Sequence, residues 1–188
     1  ICSMIKREMS STLKKVAKEY PVVLVHGPRQ SGKTTICRAV FSDKPYVSME
    51  NPDTRSRALE DPRGFLADFP NGVILDEIQR TPNLLSYMQQ IVDEKKQNGF
   101  FILTGSDNFS LQQITSQSLA GRIALLTLLP FSMKEIKSET WLTGTDKRIL
   151  YGGYPRLITE TPDRTFFFKN YTGRYTERAV GQIVTVKH

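Results

Sequence analysis

Residues 22–35 read VVLVHGPRQSGKTT, and no other stretch restricts what the chain can fold into as strongly. Val22 to His26 is a continuous β-branched and apolar run, as expected of a central parallel strand covered on both faces. From Lys33 to Phe41 the apolar residues return at helical spacing, with Ile36 above Val40 and Cys37 above Phe41. Between strand and helix, Gly27-Pro28-Arg29-Gln30-Ser31-Gly32-Lys33-Thr34 fits G-x-x-x-x-G-K-[ST] without a gap. Gly27 lets the chain turn off the strand, and Gly32 lets backbone N–H groups face inward. Those N–H groups and the positive end of the following helix suit a phosphate chain. Lys33 is placed to reach the β- and γ-phosphates and the Thr34 hydroxyl to ligate Mg²⁺. The candidate nucleotide loop runs from Gly27 through Thr35. Arg29 and Gln30 at its tip either touch nucleotide or a neighbouring subunit, or are solvated.

The rest of the chain alternates between the two periods. Lys6 to Tyr20 reads as a basic amphipathic helix with Met9, Leu13, Val16 and Ala17 on one face, ended by Pro21. Further strands are expected at Tyr46–Met49, Val73–Leu75, Phe100–Leu103 and Ile123–Leu129. Pro52 to Phe69 reads as two short polar helices divided at Asp61-Pro62. Thr81-Pro82 reads as a cap and first-turn proline, starting a helix with an apolar stripe from Leu84 to Val92 that Asn98-Gly99 stops. Ser110 to Leu119 is expected to be helical. Short helices come next, then the Gly152-Gly153-Tyr154-Pro155 turn. An aromatic helix runs from about Pro162 to Ile183, whose Phe166, Phe167, Phe168, Tyr171 and Tyr175 are read as packing. Strand and helix repeated five times means an α/β fold, a parallel sheet with helices on both faces. The expected organisation is an N-terminal helix over 1–20 and a core over 21–131. Residues 132–188 form a helical, lid-like segment leading into a truncated C-terminal region.

Ligands of such sheets bind beyond the carboxyl ends of the strands, where three polar clusters fall. The first is the loop. The second is Asp76-Glu77, closing the run Val73-Ile74-Leu75. A carboxylate ending a buried strand is costly unless a cation meets it, so Asp76 is the candidate Mg²⁺ ligand alongside Thr34. Glu77, one residue on, is the candidate general base toward the water that attacks the γ-phosphate. The second acid favours hydrolysis over a nucleoside kinase. The third cluster is Thr104-Gly105-Ser106, in which Ser106 is preferred for orienting the lytic water or sensing phosphate, against plain turn capping. Arg122, in Ala120-Gly121-Arg122, either meets transition-state charge in its own subunit or the next, or pairs on the surface. Arg156 is a weaker candidate of the same kind. His26 lies inside the first strand, and no Cys/His spacing suggests zinc.

Twenty-six basic against nineteen acidic residues give a net charge of +7, which favours polyanions without choosing between nucleotide and DNA. The basic face of Lys6, Lys14, Lys15 and Lys18 motivates the rival reading, a nucleic-acid-binding module whose nucleotide site is regulatory or inactive. No apolar stretch approaches the roughly 20 residues of a membrane helix. Two cysteines, Cys2 and Cys37, suggest no disulfide framework, so the expected location is the reducing cytoplasm. Cys37 is read as a small core residue.

Taken in order, GPRQSGKTT, VILDEIQR, FFILTGSDNF, SLAGRIALLTLLPFS and GGYPRL resemble a family of prokaryotic ATPases of the AAA+ superfamily. In that family such a core is usually followed by a C-terminal domain related to restriction-type nucleases. The resemblance covers Lys6 to about Ile183. It implies ATP and Mg²⁺ as ligands and a P-loop NTPase three-layer sandwich with a five-stranded parallel sheet of order 5-1-4-3-2. By motif position, Lys33 and Thr34 match the phosphate-loop pair, Asp76 and Glu77 the acidic pair, Ser106 the sensing residue and Arg122 the AGR arginine. Ala179 stands where members often place an acidic residue. The expected activity is Mg²⁺-dependent ATP hydrolysis driving a conformational change, through self-assembly into a homo-oligomer.

Overall fold

A computed structural model describes residues 5–106, 118–137, 142, 144–160 and 162–173. Five strands form one parallel sheet: β1 (Val22–Gly27), β2 (Tyr46–Ser48), β3 (Val73–Asp76), β4 (Phe101–Ser106) and β5 (Ile123–Thr127). Their spatial order is β2-β3-β4-β1-β5, the expected 5-1-4-3-2 sheet. All four pairings are parallel. β1 lies between β4 and β5, with Val22 opposite both Phe101 and Ile123 and Gly27 opposite Ser106. Every residue of β1 is buried, as its uninterrupted apolar run requires.

Strand periodicity sends alternate side chains to the two faces. Val22, Leu24, Val73, Leu75, Phe101 and Leu103 enter one core. Helices α3 (Pro52–Glu60), α4 (Pro62–Ala67) and α5 (Leu84–Lys95) cover it through Ala58, Phe65, Leu85 and Met88. Val23, Val25, Ile74 and Ile102 enter the opposite core. There α1 (Met9–Val16) contributes Leu13, and α2 (Lys33–Val40) contributes Ile36 and Cys37. Each such fully buried aliphatic side chain contributes about 1.5–3 kcal/mol. Three layers result, with the strand carboxyl ends gathered along one edge.

The division at Asp61-Pro62 has a local cause. Asp61 ends α3 and its carboxylate accepts the Gly64 N–H at 2.9 Å, opening α4 with Pro62 in the first turn. Asn51 caps α3 in the same way, accepting from Asp53 and Thr54. Thr81 behaves otherwise. Its N–H is taken by Ile78 O at 2.9 Å after a single 3-10 turn (Ile78–Arg80), and α5 begins only at Leu84. Its hydroxyl is buried with no hydrogen-bond partner among the described residues, so it does not cap the helix there. Helix α1 is shorter than its pattern, because Lys18 and Glu19 bond back to Lys15 and Val16 in tighter turns. β4 runs on through Gly105 and Ser106, while β5 stops at Thr127. The helix expected over Ser110–Leu119 lies mostly outside the described residues.

The described residues divide into two compact units, one from Ile5 to Pro130 and the other from Phe131 onward. Helix α1 belongs to the first, where Leu13 is fully buried. The second holds α6 (Thr145–Tyr151), α7 (Pro155–Thr159) and a helix over 164–173, with Tyr154, just before α7, packed against rings of that last helix. The Tyr154 ring lies 4.9 Å from that of Tyr171 and 5.8 Å from that of Phe167. Phe166 instead faces solvent, and Tyr175 lies outside the described residues. Among the described residues no helix is long and apolar enough to cross a membrane.

Cys37 is fully buried beneath the sheet, and burial pushes its thiol up from an ordinary 9.0 to about 12. The unfolded chain therefore releases this proton first, and stability falls as pH rises from about 9 toward about 12. Cys37 is expected to resist alkylation at pH 8 until denaturant unfolds the protein, as read by mass spectrometry of its peptide.

Candidate functional site

The carboxyl ends of β1, β3 and β4 converge on the start of α2. Gly27 leaves β1 at φ 143°, and a Cβ there would lie 2.3 Å from Leu128 O, so only glycine fits. Gly32 takes φ 92° immediately before α2, the left-handed turn that points the loop N–H groups inward. The Lys33 ammonium lies back across this loop, donating to Gly27 O at 3.1 Å and Pro28 O at 2.9 Å. Ser31 is fully buried, and its carbonyl accepts from the Arg7 guanidinium at 2.7 Å. A second arm of Arg7 donates to Leu129 O at 2.6 Å, tying the loop to the chain just beyond β5.

Asp76 ends β3 almost completely buried, and three side chains from three elements satisfy it. Thr34 on α2 donates to Oδ1 at 2.7 Å, Thr104 on β4 also donates to Oδ1, and Tyr46 on β2 donates to Oδ2 at 3.0 Å. Burial raises the Tyr46 hydroxyl above its ordinary pKa, and the neighbouring Asp76 charge raises it further, so it stays a donor. Arg38 caps the Tyr46 ring at 4.8 Å from its centre.

Glu77 is in the left-handed region, with φ 57° and ψ 48°. For a residue with a side chain this costs roughly 1 kcal/mol, and such strain collects at functional sites. The backbone is held there by fully buried Ile78 and by the Arg80 N–H to Glu77 O bond at 3.0 Å. Its N–H donates to Thr104 Oγ1 at 3.2 Å. Gln79 Nε2 donates to Glu77 Oε2 and, at 2.9 Å, to Ser106 Oγ.

A cleft of about 360 Å³ opens above these groups, lined by Arg29, Gln30, Gly32, Lys33, Thr34, Thr35, Glu50, Asp76 and Glu77. Glu50, just after β2, is tied to Arg80 at 3.1 Å. The cleft thus gathers most of the residues expected from the sequence, and Ser106 reaches Glu77 Oε2 at 3.5 Å from the side.

Arg122 stands elsewhere. It precedes β5, whose first residue pairs with Val22, so it lies at the amino end of the sheet, on the order of 17 Å of strand from the loop. Its guanidinium grips Asp93 of α5 through two bonds, at 2.6 and 2.9 Å. The bond from Arg122 holds the Asp93 carboxyl below its usual range. Within its own chain Arg122 takes the surface-pairing role, one of the two that its sequence position left open. Arg156 pairs with Glu160 one helical turn away. His26 bonds to Thr127 Oγ1 through Nε2 at 3.0 Å, inside the sheet. Tyr46, Glu50 and Gln79 were not singled out from the sequence. Gln79 alone carried a signal, its place in Asp76-Glu77-Ile78-Gln79.

A profile of the AAA domain family matches residues 19–137, a span that holds the loop, the acidic pair and all five strands. The chain belongs to this AAA domain family. An uncharacterised protein of Mycobacterium tuberculosis and one of Mycobacterium bovis are each 32% identical to it over 97% of its length. The chain spans 41% of those relatives, about two-fifths of their length. A Walker-type ATPase of Pyrococcus abyssi shares the fold, with a TM-score of 0.57 at 16% identity over 98% of this chain and 76% of that one. So does a signal-transduction ATPase with numerous domains from Pyrococcus horikoshii that carries a tetratricopeptide repeat sensor. Its TM-score is 0.54 at 15% identity, over 82% of this chain and 29% of that one. The AAA domain protein therefore has the fold of P-loop ATPases.

Replacing Tyr46 with phenylalanine removes one of three donors to Asp76 and is expected to cost about 1–2 kcal/mol, read by denaturant unfolding. Arg122→Ala should leave nucleotide affinity within about twofold of the parent by calorimetry, as for a change far from the cleft.

Proposed function

We propose that this AAA domain protein binds Mg·ATP in the cleft and hydrolyses it, with Glu77 as general base, to drive a conformational change. One observation carries the reading. The Thr34 hydroxyl and the Asp76 carboxyl, brought from α2 and β3, meet at 2.7 Å beside Lys33. Two hard oxygen donors are the protein share that Mg²⁺ takes when phosphate and water supply the rest. Bound there, the ion would neutralise charge that develops on the phosphates. The Walker-type ATPase of Pyrococcus abyssi is in keeping with this reading.

The remaining chemistry falls to the chain's own groups. The loop N–H groups behind Gly27 and Gly32 bind the phosphate chain, and the Lys33 ammonium exchanges its loop carbonyls for β- and γ-oxygens. Glu77 accepts a proton from the attacking water. The water oxygen forms a new bond to the γ-phosphorus as the bond to the bridging oxygen breaks and ADP leaves. Ser106 directs its hydroxyl to the terminal phosphate.

Phosphate release and calorimetry test this directly. Lys33→Ala is expected to lose Mg·ATP binding, whereas Glu77→Gln should bind it and turn over about 10²–10³-fold more slowly. Hydrolysis by Glu77→Gln at the parent rate would show that another group is the base.

A further inference from the structure

Gln79 has no part in the roles assigned so far, yet it touches two of the residues that have one. It sits on the 3-10 turn after Glu77, anchored by fully buried Ile78 next to it. Its amide nitrogen has two N–H groups, and both are used within the site, one on Glu77 Oε2 and one on Ser106 Oγ at 2.9 Å. Its carbonyl oxygen is buried with no hydrogen-bond partner among the described residues. The opposite amide orientation would set that oxygen against the Glu77 carboxylate, acceptor against acceptor, so the neighbours fix which end points inward.

Ser106 supplies the other half of the geometry. It stands in register with Gly27, at the mouth of the phosphate loop. Its hydroxyl has a single proton, directed here to Glu77 Oε2 at 3.5 Å. A terminal phosphate oxygen beside Gly27 and Lys33 competes for that proton. When it wins, Ser106 moves its donation from the base to the phosphate, while Gln79 keeps its grip on both residues.

Resting on the ATPase reading, we infer that Gln79 is a positioning residue for Glu77. Its amide ties the base to the hydroxyl that meets the terminal phosphate, so Glu77 is aimed by the arrival of the group to be cleaved. The residue acts through Glu77 and Ser106 and need not contact nucleotide.

Steady-state phosphate release and Mg·ATP calorimetry on the parent, Gln79→Ala, Gln79→Glu, Ser106→Ala, Glu77→Gln and the double variants test the inference. Gln79→Ala is expected to lower kcat roughly 10–100-fold, the scale of a misaimed catalytic group, with Kd for Mg·ATP within about threefold of the parent. Gln79→Glu keeps the size but loses the donor, and should fall as far. Because linked groups act as a unit, Gln79→Ala with Ser106→Ala should be slower than the worse single variant by no more than about threefold. Within Glu77→Gln, Gln79→Ala should add nothing. Parent-like turnover of Gln79→Ala, or losses that multiply, would overturn the inference while leaving Glu77 as base. A joint loss of thermal stability and nucleotide affinity in both Gln79 variants would also overturn it, reducing Gln79 to a packing role. If the parent releases no phosphate, the ATPase reading itself fails, an outcome distinct from the others because Glu77→Gln then changes nothing.

Discussion

The buried carboxyl of Asp76 organises this half of the molecule. An acid that reaches the end of a central strand with almost no exposure must find donors, since leaving it without them costs several kcal/mol. Thr34, Thr104 and Tyr46 provide them from α2, β4 and β2. The same bonds pin the first turn of the loop helix and both neighbouring strands to one point. Loop geometry and sheet register thereby become a single constraint, and the cleft inherits its shape from it.

Glu77 illustrates the other side of that constraint. The chain tolerates a left-handed, non-glycine residue because Asp76 on one side and Ile78 on the other are both immobilised in the core. Strain at one position is offset by burial at its two neighbours, and the result is a carboxylate whose direction the backbone dictates. A glycine would relieve the strain and abandon the direction. Gln79 and Ser106 then hold the side chain where the backbone has sent it.

Much of this was legible in the residues. The continuous apolar run of β1 and the two glycines of the loop were met as the sequence implies, while the acid ending β3 is met by three hydroxyl donors, which its short run did not reveal. Asp61-Pro62 also divides two helices as expected, because a short acid before a proline can cap only the helix on its carboxyl side. Other features were hidden for equally physical reasons. Thr81 looks like a cap, but the Leu84 N–H that its hydroxyl could have capped bonds instead to the Thr81 carbonyl at 3.1 Å. Tyr46 reads as an ordinary strand aromatic, since its bond to Asp76 spans thirty positions and depends on the β2–β3 register. Arg122, in Ala120-Gly121-Arg122, carries no local mark of which end of the sheet it occupies. Only the direction of β5 reveals that it lies at the far edge, and its partner Asp93 comes from α5.

Residues 5–20 brace the loop that follows β1. Arg7 clamps the Ser31 carbonyl of the loop and the Leu129 carbonyl beyond β5, and Leu13 and Ala17 roof the second core. A minimal domain cut at Pro21, where composition invites a boundary, would strip this brace and take Leu13 and Ala17 out of the core they share with Val23, Val25 and Ile102. The shape of the loop thus depends on a guanidinium that comes from outside the strand, loop and helix that form it.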